Sequence, residues 1–341
     1  MSLDLTIIVP AFNEAHRLKD GMDRFDVAVD EGAVDLQRTE VVVVDDGSRD
    51  GTAEAARKLL APLPHHRVLR LPANCGKGAA VRAGVTAARG ACCAYMDADM
   101  AIDPRAIPLL LEGLATTDIA IGSRALADSM VESRYLVRSL MGGLFNRLVT
   151  TGTGLGLHDT QCGFKAFRTP VARLLFHLVR IDRFAFDVEV LVRAQSLGLT
   201  VTEVPVHWKH VPGSTVHPLH DSVTMLDDVY RSRLGLRAVP PVPALWVRPG
   251  RGGPSDGALA REVGAAVAAT LPGTPVPVVT VDGAVVVLLP LVEGPELAGL
   301  SAGLGARLPS ATVTRRSLSL RALRTLGSLH DRLDLPVPDR D

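Results

Sequence analysis

The first 124 residues alternate short apolar runs with helix-length segments, and this alternation limits the fold more than any other feature of the chain. Leu3 to Val9, Glu40 to Val44, Arg67 to Leu71, Ala91 to Met96 and Asp118 to Gly122 have strand length. Between them, helices are expected at about Glu14 to Val29, Thr52 to Leu60, Asn74 to Arg89 and Pro104 to Leu114. Strands separated by helices require right-handed crossovers, which gives an α/β fold with a mostly parallel sheet and helices on both faces. Every loop that follows a strand then lies at one edge of the sheet, where open α/β folds bind ligands.

Carboxylates are concentrated at that edge. Asn13 and Glu14 follow the first strand, with Asn13 a candidate helix cap; Asp45 and Asp46 follow the second, and Asp97-Ala98-Asp99 the fourth. Carboxylate oxygens suit a hard cation such as Mg²⁺ or Mn²⁺, which also takes oxygens from a diphosphate. The competing reading of the D-x-D is an Asx turn, with Asp99 or Asp103 capping the helix near Pro104. Asn74-Cys75-Gly76-Lys77-Gly78 offers backbone N–H groups and a cation for a phosphate or a nucleotide edge; a plain Gly-rich helix entry is equally open. Neither G-x-x-x-x-G-K-[ST] nor G-x-G-x-x-G is present, which disfavours a P-loop nucleotidase and a nicotinamide dehydrogenase.

With 37 basic and 37 acidic residues the net charge is zero, so no field argues for nucleic acid. Four unevenly spaced cysteines fit a reducing compartment rather than a disulfide framework. No signal peptide and no membrane-spanning run is recognised, so a cytoplasmic protein, soluble or peripheral at a membrane, is expected.

Several motifs, in order, resemble family-2 glycosyltransferases of GT-A fold: V-P-A-F-N-E at Val9 to Glu14, V-V-D-D-G-S-R-D-G-T at Val43 to Thr52, N-C-G-K-G at Asn74 to Gly78, M-D-A-D at Met96 to Asp99 and I-G-S-R at Ile121 to Arg124. Further on, D-T-Q-C-G-F-K-A-F at Asp159 to Phe167, F-D-V-E at Phe186 to Glu189 and E-V-P-V-H-W at Glu203 to Trp208 resemble the branch of dolichyl-phosphate glucosyltransferases and their polyprenyl-phosphate relatives. The resemblance implies inverting transfer of a hexose from a nucleotide-diphosphate sugar, with UDP-glucose the expected donor, a divalent metal as helper and a polyprenyl phosphate at a membrane surface as acceptor. A soluble metabolite or polysaccharide acceptor, and a non-catalytic nucleotide-sugar binding protein, are the alternatives.

The same resemblance assigns roles. Asp46 or Asp45 would accept a hydrogen bond from uracil, with Pro10, Phe12 and Glu14 framing the nucleotide. Asp97 would meet the ribose or the metal, and Asp99 the metal. Gly76 and Lys77 would face the donor, and Arg124 would hold a phosphate, its alternative being a structural ion pair. Asp159 is the first candidate for a base or acceptor-site carboxylate, followed by Asp187 and Glu189, which otherwise cap and face outward from a helix of about Asp187 to Leu197. Lys165 is a candidate phosphate partner, its alternative an exposed strand residue. An alcohol acceptor requires a base, whereas a lipid phosphate is already anionic near neutral pH.

Arg134 to Thr150 has apolar pairs every four residues, which fits a helix packed on the sheet or lying at a bilayer surface. Where the family carries Gly-Ser-Lys, this chain has Gly213-Ser214-Thr215, leaving Lys209, His210 or His217 to supply a cation. His207, His210, His217 and His220 are poor zinc candidates, having no cysteine beside them. Beyond Val239-Pro240-Pro241-Val242-Pro243, read as a linker, Lys, Cys, Phe and Tyr disappear. The expected division is a GT-A domain over 1–238 and a small α+β accessory domain over 239–341. In the latter, strands are expected at Ala244 to Val247, Val276 to Val281, Ala284 to Pro290 and Thr312 to Ser317, with helices at Asp256 to Leu271, Pro295 to Leu308 and Ser319 to Leu333.

Overall fold

A computed structural model of the protein describes residues 3–132, 146–211, 225, 228, 241–249, 256–270, 278–281, 284–290, 294–308, 311–319 and 323. A seven-stranded sheet is built from β1 (Leu5–Ala11), β2 (Thr39–Asp45), β3 (His66–Arg70), β4 (Cys92–Met96), β5 (Ile119–Ser123), β7 (Phe164–Arg168) and β8 (Val201–Pro205). A short parallel pair, β6 (Met130–Glu132) with β9 (His207–Lys209), lies beside it. The helices α1 (Ala15–Asp30), α2 (Thr52–Leu60), α3 (Lys77–Ala87), α4 (Ile107–Leu114), α5 (146–153), α6 (Thr169–Leu178) and α7 (Phe186–Ser196) connect the strands.

The strand order is β3-β2-β1-β4-β7-β5-β8, and every pairing is parallel except those of β7. Alternate strand residues enter separate cores. Ile8, Val42, Val44, Tyr95 and Phe167 pack with α3, α6 and α7, while Ile7, Val9, Val41, Val43 and Met96 pack with α1, α2 and α4. Because both faces are covered, the strands read as unbroken apolar runs. The order reverses between the neighbours β1 and β4. A crevice is expected outside the carboxyl ends of such a reversal, and Phe12 and Asp97 leave the sheet there.

One strand was not anticipated in direction. β7 runs antiparallel between β4 and β5, so its beginning, rather than its end, lies at the crevice edge. Gly163 is thereby delivered beside Asp97.

A second sheet has the order β11-β12-β10-β13, all antiparallel, from β10 (Val242–Pro249), β11 (Val278–Val281), β12 (Ala284–Leu288) and β13 (Ala311–Leu318). Helices Asp256–Thr270 and Gly294–Arg307 supply Leu259, Val263, Leu300 and Leu304 to one of its faces. Residues of the other face, among them Val242, Ala244, Val286 and Leu288, belong to the same apolar cluster as α6 and α7. His177 of α6 bonds the Pro241 carbonyl at 3.1 Å. Val242 and Pro243 therefore belong to a strand and not to a linker; Pro243 is tolerated because the β12 ladder starts at Ala244.

Among the described residues no helix is long and apolar enough to cross a membrane. Most of the Arg134 to Thr150 segment, the Gly213-Ser214-Thr215 loop with His217 and His220, and nearly all of the expected final helix lie outside the described residues. Of the described histidines His207 and His210, the first pairs through Nε2 with Glu132 at 2.8 Å and the second donates its amide to the Glu132 carbonyl at 3.2 Å.

Candidate active site

The first two strand tips are locked together by side chains. Asn13 adopts a left-handed backbone, φ 54°, so that its amide donates to Ser48 Oγ and its side-chain oxygen accepts from the Arg49 amide. It does not cap α1. The Ala15 amide is instead met by Asp50 from the neighbouring loop, and the Glu14 amide by Thr52 Oγ1. Asp45 is fully buried, accepting from the Ser48 amide and lying 3.2 Å from Arg70 Nε, which makes it a turn residue. Asp46 accepts the amides of Cys75 and Gly76, both at 2.8 Å. Gly76 thus turns its N–H toward a carboxylate of the protein and not toward a phosphate position. Pro10 is buried in β1, and Phe12 stands 40 % exposed at the rim.

The D-x-D loop is seated on one face of α1. Residues Arg17, Gly21 and Arg24 are spaced four and three apart and so share that face. Arg24 donates to the carbonyls of Asp99 and Met100 at 2.9 and 3.2 Å. Gly21 admits the loop closely, since a Cβ there would stand 2.2 Å from the Ala98 oxygen. Arg17 extends one guanidinium nitrogen to Glu14 Oε1 at 2.8 Å and another to Asp99 Oδ2. The second oxygen of Asp99 accepts from the Ala101 amide, an Asx-type closure of the loop. Asp103 caps the short 3₁₀ turn Pro104–Ala106 by accepting from the Arg105 amide. Both features of the competing reading are therefore present alongside the crevice.

Asp97, by contrast, projects with nearly half of its side chain exposed. Lys77 Nζ lies 2.7 Å from its Oδ1 and 4.0 Å from Asp187 Oδ2. Burial would lower the Lys77 pKa, but Asp97 and Asp187 outweigh it and hold the ammonium above its ordinary value. Gly163 closes the other side, where a Cβ would sit 2.5 Å from Asp97 Oδ2. Asp46, the Gly76 amide, Lys77 and Asp97 form one chain of contacts, so the tips of β2 and β4 open on the same crevice.

Three expected site residues are occupied by one another or buried. Arg124 makes a bidentate pair with Asp159, Nε to Oδ2 at 2.7 Å and Nη2 to Oδ1 at 2.9 Å, and its amide also donates to Oδ2. Burial opposes ionisation of Asp159, yet the guanidinium prevails and holds it below its ordinary value. A carboxylate so held is a poor proton acceptor, and the Nε–Nη2 edge of the guanidinium is committed to it, leaving only the Nη1 end for a phosphate. Lys165 is neither exposed nor at the crevice. It is fully buried, with Nζ 2.6 Å from Asp187 Oδ1 and 2.7 Å from the Cys162 carbonyl. Tyr95 adds its hydroxyl to the same Asp187 oxygen at 2.5 Å, and burial with Asp187 raises its pKa well above the ordinary value.

Asp187 and Glu189 do not face outward. Both are buried, and Glu189 receives the amides of Arg180 and Ile181 and the guanidinium of Arg193. Glu203 fixes the start of the Asp159 loop by accepting the amides of His158 and Asp159. Sequence reasoning passed over Arg17, Arg24 and Tyr95. The first was signalled by its place three residues after Glu14 at a helix start, the last by a phenol next to the strand tip that ends in Asp97.

Negative charge accumulates where Glu14, Asp97 and Asp99 meet. Asp99 is raised above its ordinary value by burial, then by Asp97. Glu14 is raised from 4.5 to about 7, chiefly by burial, against the pull of Arg17. Because that folded-state value exceeds the unfolded one, the folded protein holds the Glu14 proton more tightly. Its contribution to stability is complete below pH 4.5 and is lost as pH rises through about 7. Glu14→Gln should therefore raise the melting temperature, relative to the parent, more at pH 8 than at pH 5. Thermal unfolding at the two pH values measures this, and an equal or reversed difference contradicts it. Among the described residues no group of three or more His, Cys, Asp or Glu converges as a metal site, so Asp97 and Asp99 are the carboxylates the crevice offers to a hard cation.

A family model for glycosyl transferase family 2 matches residues 6–176, which carry the crevice from β1 through β7. The dolichyl-phosphate beta-glucosyltransferase of Dictyostelium discoideum is 37 % identical over 240 residues, 67 % of this chain and 73 % of that protein. The enzyme of the same name from Drosophila melanogaster is 37 % identical over 244 residues, 67 % and 74 % of the two chains. A solved structure of glucosyl-3-phosphoglycerate synthase from Mycobacterium tuberculosis, in complex with Mn²⁺, UDP and glucosyl-3-phosphoglycerate, resembles the fold with a TM-score of 0.51 at 20 % identity, over 70 % of this chain and 81 % of that one. A sheet reversed beside a D-x-D, inside a matched segment of this length, leads to one conclusion: the chain is a glycosyltransferase of GT-A fold that belongs to glycosyl transferase family 2, in the branch of the dolichyl-phosphate β-glucosyltransferases.

Proposed function

We propose that the chain transfers glucose from UDP-glucose to a polyprenyl phosphate, with inversion and with the help of Mg²⁺ or Mn²⁺. The observation that carries this is the meeting of the β1, β2 and β4 tips at the strand-order reversal, tied through Arg17 of α1 and Lys77 of α3. The named relatives support the lipid phosphate and the glucose. The fold neighbour, solved with Mn²⁺ and UDP, supports the metal and the nucleotide.

Asp97 and Asp99 would hold the cation, which when bound supplies Lewis-acid neutralisation of the departing diphosphate. The protein's own part is positional. α1 fixes the D-x-D loop through Arg24, and Lys77 orients Asp97 from the opposite side. Phe12 and the Asp46 turn border the nucleotide end. Inversion requires the acceptor oxygen to approach the sugar from the face opposite the diphosphate. A phosphate monoester, with its second pKa near 6, is largely dianionic at neutral pH and surrenders no proton on attack. That chemistry agrees with an Asp159 already committed to Arg124, whereas an alcohol would require a free base. We assign this catalysis to residues 1–238 and an accessory role to residues 239–341.

The test is transfer measured over UDP-glucose, UDP-galactose, UDP-N-acetylglucosamine and GDP-mannose, each with polyprenyl phosphate and with water-soluble acceptors. Glucosyl transfer to the lipid phosphate that is abolished by a chelator is expected. Transfer only to a soluble acceptor, or none from UDP-glucose, overturns the assignment.

A further inference from the structure

Arg17 is the cation that meets Asp99 in the crevice. It lies in the first turn of α1, three residues after Glu14, and its guanidinium joins Glu14 to Asp99. The joining is incomplete at one end. Glu14 Oε2 and Arg17 Nε are both buried, and neither has a hydrogen-bond partner among the described residues. A guanidinium and a carboxylate pair most strongly through two parallel hydrogen bonds, yet here Glu14 receives one. The bridge to Asp99 thus holds Arg17 away from a better match that its own neighbour already presents.

We propose that Arg17 is a two-position counter-ion of the D-x-D: without a divalent cation it bridges Glu14 and Asp99, and when a divalent cation takes Asp99 it closes onto both oxygens of Glu14. The inference rests on the metal-assisted reading of the site. The bridge balances charge in the crevice, where Glu14, Asp97 and Asp99 would otherwise repel one another at short range. Lys77 does the same at Asp97, with Asp187 Oδ2 as its second carboxylate at 4.0 Å. Cation entry therefore exchanges one positive group for another at Asp99, and the affinity for the cation alone is lowered by the cost of moving Arg17.

Mn²⁺ binding, followed through the electron paramagnetic resonance of free Mn²⁺ with no nucleotide sugar present, reads the switch directly. Arg17→Gln should tighten Mn²⁺ roughly tenfold, the equivalent of one charge-assisted hydrogen bond no longer competing. Glu14→Gln should weaken it severalfold, because Arg17 loses its second seat and stays on Asp99. In the double variant the Glu14 effect should vanish, leaving the affinity of Arg17→Gln alone. If Glu14→Gln weakens Mn²⁺ equally in both backgrounds, Glu14 acts only as a nearby charge and the two-position device is wrong. Unchanged or weaker binding in Arg17→Gln also overturns it. Asp99→Asn separates the two levels. Binding that depends on Asp99 but gains nothing from Arg17→Gln removes this inference and spares the metal reading; binding by no variant removes both.

Discussion

Asp99→Asn is expected to lower glucosyl transfer by on the order of 10²–10³-fold, equivalent to about 2.7–4 kcal/mol of transition-state stabilisation, while the protein stays folded. The amide keeps the shape of the carboxylate, and its oxygen can still accept from Ala101 to close the loop. The NH₂ group then faces Arg17 in place of an anion, so the guanidinium withdraws toward Glu14. What is lost is a charged oxygen for a hard cation, and with it the neutralisation of diphosphate charge as the glycosidic bond breaks. The loop itself remains held by Arg24 through backbone carbonyls, and the substitution leaves those contacts untouched. Steady-state transfer at saturating Mn²⁺, with thermal unfolding as the control, gives the answer. Full activity with an unchanged melting temperature would refute the assignment of Asp99 to the metal.

The second large effect is on stability and lies behind the crevice. Asp187→Ala should destabilise the protein by about 3–5 kcal/mol, because it strands a buried cation. Lys165 is fully buried, its ammonium held by Asp187 and the Cys162 carbonyl; Tyr95 and Lys77 also turn toward Asp187. Solvent offers little screening there, unlike at the exposed pairs Lys19–Asp23 and Arg57–Glu54. Replacing both members, Lys165→Met with Asp187→Leu, should recover most of the loss, since a buried ion pair exchanged for apolar groups of similar size is close to neutral. Denaturant midpoints of the single and double variants decide the matter. A loss below 1 kcal/mol for Asp187→Ala would mean that water or another anion reaches Lys165. A double variant that recovers stability but not transfer would show that Asp187 also serves the crevice, through Lys77.

The elements of the large sheet were legible because buried parallel strands leave unbroken apolar runs between helices, and the β1, β2 and β4 tips end in Asn, Asp and Gly. Tails of elements moved by a few residues. The α3 helix begins at Lys77, since the preceding amides of Cys75 and Gly76 are given to Asp46. The Pro-rich boundary misled for a related reason: proline can sit in a strand where its missing N–H is not needed, and Pro243, in register with Ser317 of β13, precedes the β12 ladder that starts at Ala244. In the site, Asp97 and Asp99 were visible as polar residues closing a strand. The fates of Asp159, Arg124 and Lys165 were not.

The order of residues alone determined the alternation of strands and helices, hence a parallel sheet, hence one edge on which Asp46, Lys77 and Asp97 must gather; these follow from local periodicity and from the handedness of crossovers. Only the folded chain decided which charges would serve a ligand and which would serve one another. Arg17 and Asp99 are 82 positions apart, Arg124 and Asp159 35, Lys165 and Asp187 22. Such pairs are set by the antiparallel insertion of β7 and by the packing of α1 and α7, and no periodicity records them. A carboxylate at a strand tip is drawn to whichever cation packing brings nearest, and that choice is made in three dimensions.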